Sequence, residues 1–235
     1  MIATLINVGL VLLGSILGML LRGKISDRAA SGVTRAVALG VMVIGLQSAL
    51  KTQDALCVII CLVAGTLLGE WARIEDRLDG MGELLQNKLV KKGENSRFTE
   101  GFVSASVLFC VGSMAIMGSL EAGLNHNYMI LVSKGVIDGI TSITLAATMG
   151  LGVAFSAGAI FLYQGGLTLL ASVVGPLLSS AGINELSATG GAMMIAISFN
   201  MLGFGKEKIR VGNMLPSIFL PFFYLPLADL LVRLF

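Results

Sequence analysis

Apolar residues fill eight stretches of the chain, and the charged residues gather between them. The stretches are Ile2–Leu21, Thr34–Leu50, Leu56–Trp71, Gly101–Leu120, Tyr128–Gly150, Leu151–Val174, Ala188–Phe204 and Met214–Val232. A helix of about 20 largely apolar residues crosses the hydrocarbon core of a bilayer. Backbone groups in lipid must pair within the segment, so runs of this kind fold as helices. The pattern predicts an all-α, polytopic transmembrane helix bundle of about seven or eight spans. Residues 1–235 form a single integral membrane domain. The fifth and sixth stretches are the least separated, because Tyr128–Leu178 has no clear break. It holds either two tight helices or one full span beside a broken or re-entrant one.

The longest polar interval, Arg73–Glu100, follows a different rhythm. Trp71, Ile74, Leu78, Met81, Leu85 and Leu89 recur at steps of three and four with charges between them. That spacing predicts an amphipathic helix over about 72–92, continuing from the third span. It lies on the membrane surface or pairs with a second copy of the chain. A pattern shorter than three heptads favours the surface.

Basic residues assign a direction. Arg22, Lys24, Arg28 and Arg35 follow the first span, Arg73, Arg77, Lys88, Lys91, Lys92 and Arg97 the third, and Lys206, Lys208 and Arg210 the seventh. The intervening loops carry only Lys51. The positive-inside rule then puts the N-terminus outside and these three loops, with the amphipathic helix, in the cytoplasm. Arg233 is out of place in this scheme.

Composition agrees with a lipid environment. Of 235 residues, 55% are hydrophobic and 13% charged, against about a quarter charged in soluble domains. Mean hydropathy is +0.89. Such an inventory cannot cover a water-facing surface, so the lipid bilayer is the expected partner. A net charge of +2, without basic runs interleaved with aromatics, gives no footprint for nucleic acid. The first charge, Arg22, comes after the first apolar run, and no small-residue cleavage site ends that run. This reads as a retained span rather than a signal peptide. Cys57, Cys61 and Cys110 lie in apolar stretches. They are too few for a four-ligand metal site and read as packing residues, with no metal or cofactor expected.

Glycines carry a packing signal. Leu12–Arg22 (LLGSILGMLLR) resembles Leu62–Arg73 (LVAGTLLGEWAR), and each holds a Gly-x-x-x-Gly step, Gly14/Gly18 and Gly65/Gly69. A duplicated helix pair would explain the likeness. The four glycines are expected to let neighbouring helices approach closely.

Candidate chemistry concentrates in Ser133–Thr148. Lys134 and Asp138 lie one helical turn apart inside a lipid-compatible run. A charge at the bilayer centre costs roughly 2.5–3.5 kcal/mol on insertion scales, so such residues face protein or water. With Thr141, Ser142 and Thr148, Asp138 extends a polar stripe along the helix. Two readings stand side by side: a structural ion pair, or the lining of a substrate or ion path. Asn7, Gln47, Gln164, Asn200 and Asn213 are further polar residues in or near spans, suited to hydrogen bonds between helices. Gln164 lies in Tyr163-Gln164-Gly165-Gly166, where paired glycines can thin a helix beside an amide, as in solute sites built on discontinuous helices. No nucleophile, metal or acid–base motif appears, so no enzymatic activity is expected. His126 falls in a short polar loop. Pro216, Pro221 and Pro226 recur at steps of five in the last span and predict kinks.

Several segments resemble a known family. INVGLVLLGSILGMLLRGKI near the start, CVGSMAIMGSLEAGL at 110–124, KGVIDGITSI…ATMGLGVAFSA…LYQGGLTLLA at 134–171 and IRVGNMLPSIFLP at 209–221 are similar to the YqgA/YdfK-like bacterial inner-membrane proteins (DUF554). The likeness runs along the whole chain, with the motifs in order. It implies a multi-pass protein of a bacterial inner membrane, sometimes described as a transporter, and supplies no catalytic residues. The family's Lys-x-x-x-Asp-Gly and Tyr-Gln-Gly motifs correspond to Lys134, Asp138, Gly139, Tyr163, Gln164 and Gly165.

The sequence therefore leads to a transporter or channel for a small solute or ion, with a path through Lys134, Asp138, Thr141, Ser142, Gln164 and Asn200. The alternative is a non-transporting scaffold or regulatory partner of a membrane complex, docking through Trp71–Leu89. A homo-oligomer fits either.

Overall fold

The computed structural model describes residues 1–21, 27–80, 98–110, 113–177, 179–205 and 207–234. Nine principal helices order the chain: α1 (Ile2–Leu21), α2 (Asp27–Ala49), α3 (Ala55–Ala72), α4 (Phe98–Cys110), α5 (Ser113–Leu124), α6 (Met129–Met149), α7 (Leu151–Leu169), α8 (Ser180–Leu202) and α9 (Pro221–Leu234). Short helices at Ala171–Val174 and Gly175–Leu177 precede α8, and a 3₁₀ segment, Val211–Phe219, leads into α9. Among the described residues there is no strand.

The distribution of side chains is the reverse of a soluble core. Large apolar residues stand exposed on the outer faces of the helices, among them Leu13, Leu67, Ile140 and Leu162. Asn7, Gln164, Glu185 and several serines are buried. A water-soluble protein does not expose apolar surface on this scale, whereas lipid accepts it. Five helices are long and apolar enough to cross a membrane, and up to seven segments qualify when two bent pairs each count as one span. Helix α8 is not among them. It is buried on nearly every side and lies antiparallel against α2, with Glu185 beside Thr52–Asp54 and Gly191 against Gly45 and Ala49.

One interruption decides between the alternatives left open by the sequence, and another was not read from it. Tyr128–Leu178 contains two ordinary long helices, turned sharply at Gly150, whose φ of 78° and ψ of −145° suit glycine alone. The fourth stretch is the broken one: the axes of Phe98–Cys110 and Met114–Leu124 diverge by 58°. A third break was foreseen. Pro216 lies inside the 3₁₀ segment, Pro221 opens α9, and the two pieces meet at 44°. Proline lacks the N–H that would continue an α-helix, which accounts for the weaker geometry there.

Arg73 ends α3 in a left-handed conformation (φ 49°), so the next helical stretch, 74–80, starts afresh rather than continuing the third span. Its Leu78 packs on the main core of the bundle. The rest of the expected amphipathic helix, 81–92, lies outside the described residues.

Close pairs hold the bundle. A Cβ on Gly14 would overlap the carbonyl oxygen of Gly139, and one on Gly18 that of Ile143. A Cβ on Gly65 or Gly69 would overlap Ser217 or the carbonyl of Asn213. All four glycines therefore stand at helix–helix crossings where backbones meet. The contacts fix directions: α1 and α6 run parallel, while α3 and the 3₁₀ segment run antiparallel. As a result, residues 70–80, 98–100 and 207–213 come together at one end of the bundle. There Arg210 faces Glu70 and Asp76, Lys208 pairs with Glu100 at 2.9 Å, and Glu75 accepts the Gly212 N–H at 3.0 Å.

Candidate functional site

The central polar cluster is assembled from three helices. Lys134 and Asp138, four residues apart on α6, point the same way and are both buried. The Lys134 ammonium donates to Asp138 Oδ2. From α1, the Asn7 amide donates to the same oxygen at 3.1 Å and to Gln164 Oε1 of α7 at 3.0 Å. The close crossing of α1 and α6 makes this reach possible, since Gly135 and Gly139 lie directly against Asn7 and Leu10.

These donors and acceptors fix the amide orientations. Asp138 is an acceptor, so Asn7 must turn its NH₂ toward it. The second N–H of that group then meets the Gln164 carbonyl, which turns the Gln164 NH₂ away. Asn7 Oδ1 and Gln164 Nε2 are left buried with no partner among the described groups. The hydroxyls of Thr4 and Thr168, one turn along the same two helices, are in the same condition.

Lys134 also stands 5.9 Å from the ring centre of Phe109. Phe109 belongs to the last turn of α4, immediately before the break in the fourth span. A cation is favourably placed over an aromatic face. The last turn of the first half of the broken span thus contributes an aromatic ring to the surroundings of the buried charge pair.

The remaining expected path residues make other bonds. Ser142 is buried but donates to the Val11 and Gly139 carbonyls at 3.1 and 2.7 Å, locking α1 to α6. Thr141 returns its hydroxyl to the Ile137 carbonyl of its own helix. Asn200 lies at the charged end, where it bonds both the N–H and the carbonyl of Ile209 and lines a cavity of about 240 Å³ with Glu75, Asp79, Glu100 and Lys208. The structure therefore joins Lys134, Asp138 and Gln164, adds Asn7 as their link, keeps Ser142 one turn from Asp138 with its hydroxyl committed to backbone carbonyls, and sets Thr141 and Asn200 apart. Gln47 is exposed on α2, and Asn213 accepts the Glu75 N–H at 2.8 Å.

One buried acid escaped the sequence reading. Glu185 of α8 accepts the Thr52 hydroxyl at 2.6 Å and the N–H groups of Gln53 and Asp54 at 2.7 and 3.2 Å. It clamps the turn between α2 and α3, and Asp54 in turn caps α3 through the N–H groups of Leu56 and Cys57. The only signal was an acid placed three residues before an apolar stretch. Cys57 and Cys61 lie with their sulfurs 3.9 Å apart, and no group of three or more metal-ligating side chains occurs among the described residues.

A bundle with lipid-facing apolar faces, a broken span and a buried polar centre defines a polytopic helical membrane protein. The model of the protein of unknown function DUF554 matches residues 2–225, and the chain belongs to that family. It is 32% identical over 225 residues to the uncharacterized membrane protein YdfK of Bacillus subtilis (strain 168), covering 94% of each chain. It is 27% identical over 222 residues to the uncharacterized protein YqgA of Escherichia coli (strain K12), covering 93% of this chain and 94% of that one. No solved structure matches it significantly.

Proposed function

We propose that the protein is a carrier or channel for a small solute or ion in a bacterial inner membrane, with its charged end in the cytoplasm and no enzymatic activity. One observation carries this reading: the Lys134–Asp138 pair is joined through Asn7 to Gln164, and the chain of bonds ends in buried atoms that lack partners. A purely structural ion pair has no use for unsatisfied amides. A binding path does, because a passing solute or water completes them. The orientation follows from the basic residues: Arg73, Arg77, Lys208 and Arg210 meet at one end of the bundle.

The test is reconstitution into proteoliposomes, with uptake and conductance scanned across ions and small metabolites. Transport above background that falls in Asp138→Asn, with the variant still folded, supports the proposal. Background rates across the whole panel for well-folded protein sink it.

A further inference from the structure

Of the eight buried polar side-chain atoms without a partner among the described residues, four lie on α1 and α7 around the Asn7–Gln164 bond and form a seam with a definite chemistry. Thr4 and Asn7 share a face of α1, and Gln164 and Thr168 share a face of α7. All four side chains are more than nine-tenths buried. The two helices run antiparallel, with Asn7 opposite Gln164 and Thr4 near Gly165. Both threonines therefore lie one turn closer to the end where α1 begins and α7 finishes. One turn deeper on each helix are Val11 and Ile160, apolar and fully buried, which separate this polar stretch from Ser15 and Ser156 beyond them. A buried polar atom without a partner costs roughly 1–3 kcal/mol, so four along one seam call for an occupant.

The orphaned atoms select what fits. Asn7 Oδ1 can only accept a hydrogen bond, and Gln164 Nε2 can only donate one. A planar group offering N–H beside C=O satisfies both at once, and the Thr4 and Thr168 hydroxyls can serve either way. Charge narrows the choice further. Lys134 and Asp138 neutralise each other, and neither α1 nor α7 carries a charged residue. A net ion would find no charged side chain of α1 or α7 to pair with at the seam, and burying an unpaired charge is strongly unfavourable.

We infer that the seam between α1 and α7 binds a small uncharged solute of the primary-amide type, with donor and acceptor side by side, in preference to a net ion. This inference rests on the transport reading of the same cluster.

Acetamide, acetate and acetamidinium are planar probes of nearly one shape and three charges. Their binding to the purified full-length protein is measured by calorimetric titration, and counterflow of labelled acetamide is followed in proteoliposomes. Acetamide is expected to bind saturably and at least about tenfold more tightly than either ion, because a site built around hydrogen bonds rejects a mismatched isostere. Gln164→Leu should abolish that binding. Gln164→Glu, which exchanges the donor for a negative charge at constant size, should shift preference toward acetamidinium. This second variant and the wild-type comparison carry the test where Gln164→Leu fails to fold.

Equal or tighter binding of either ion by the wild type, or no acetamide binding at all because water alone fills the seam, overturns the inference. An unchanged preference in folded Gln164→Glu does the same. Acetamide binding without counterflow leaves the inference standing and defeats transport. An ion current abolished by Asp138→Asn defeats the inference and leaves transport standing.

Discussion

Asn7 donates its amide to the carboxylate of Asp138 across 131 positions of sequence, and this bond ties the first helix of the chain to its buried ion pair. The pair is thereby held by two donors on one oxygen, Lys134 and Asn7. Removing one partner of a buried ion pair leaves an uncompensated charge, which costs roughly 3–5 kcal/mol. Lys134→Met should therefore lower stability by about that amount, read as a large drop in thermal midpoint of the detergent-purified protein. Lys134→Met combined with Asp138→Asn removes both charges and should recover more than half of the loss. Two losses that simply add would show that the residues do not act as a pair.

The glycine crossings make a prediction with internal controls. Gly14 and Gly18 meet backbone of α6, whereas Gly9 and Gly40 have open space where a Cβ would stand. Overpacking a tight contact costs typically about 1–3 kcal/mol and shifts backbone. Gly14→Ala and Gly18→Ala should reduce the yield of monodisperse protein and also weaken solute binding, because Asn7 shares their helix. Gly9→Ala and Gly40→Ala should behave as wild type in size-exclusion chromatography. Equal effects at all four positions would remove the crossings from the account.

Much of this architecture was legible in sequence because lipid imposes long apolar runs, and the bounds of α1 and α3 follow from hydropathy alone. The intramembrane charges at Lys134 and Asp138 stood out for the same reason: nothing else in their helix is charged. What escaped was decided by tertiary contact. Asn7 looked like any interhelical amide until Gly135 and Gly139 brought α6 against it. Asn200 looked equivalent to Gln164, yet the loop at Ile209 takes both of its hydrogen bonds. The break in the fourth span has no proline to announce it. The boundary at Gly150 was legible, but not whether both flanking stretches are full helices, because the residues on both sides are apolar and the sharp reversal depends on positive φ rather than on polarity.

Glu185 gives a prediction remote from the candidate site. Its buried carboxylate accepts from two backbone N–H groups and a hydroxyl of the half-buried turn and so ties that turn to α8. Hydrogen bonds to a charged group contribute about 1.5–3 kcal/mol. Glu185→Ala should destabilise the protein by at least that range and increase protease sensitivity at the 50–54 turn. Solute affinity of the folded fraction should stay unchanged, measured by titration after size-exclusion chromatography. A selective loss of affinity with stability intact would mean that Glu185 belongs to the path.

At the charged end, Glu75 links stability to pH. Burial raises its carboxyl above the ordinary 4.5, and the Gly212 N–H opposes this by favouring the charged form. Burial wins, so the folded protein holds this proton more tightly than the unfolded chain does. The contribution is then complete below about pH 4.5 and is lost as pH rises through the folded value, which is the reverse of a salt-bridged carboxylate. Glu75→Gln keeps the side-chain shape and removes the titration. The variant should therefore gain thermal stability relative to wild type as pH climbs from 4.5 toward neutrality, with the two converging at the acidic end. A difference between them that does not change with pH would mean the Glu75 carboxyl titrates alike in the folded and unfolded protein.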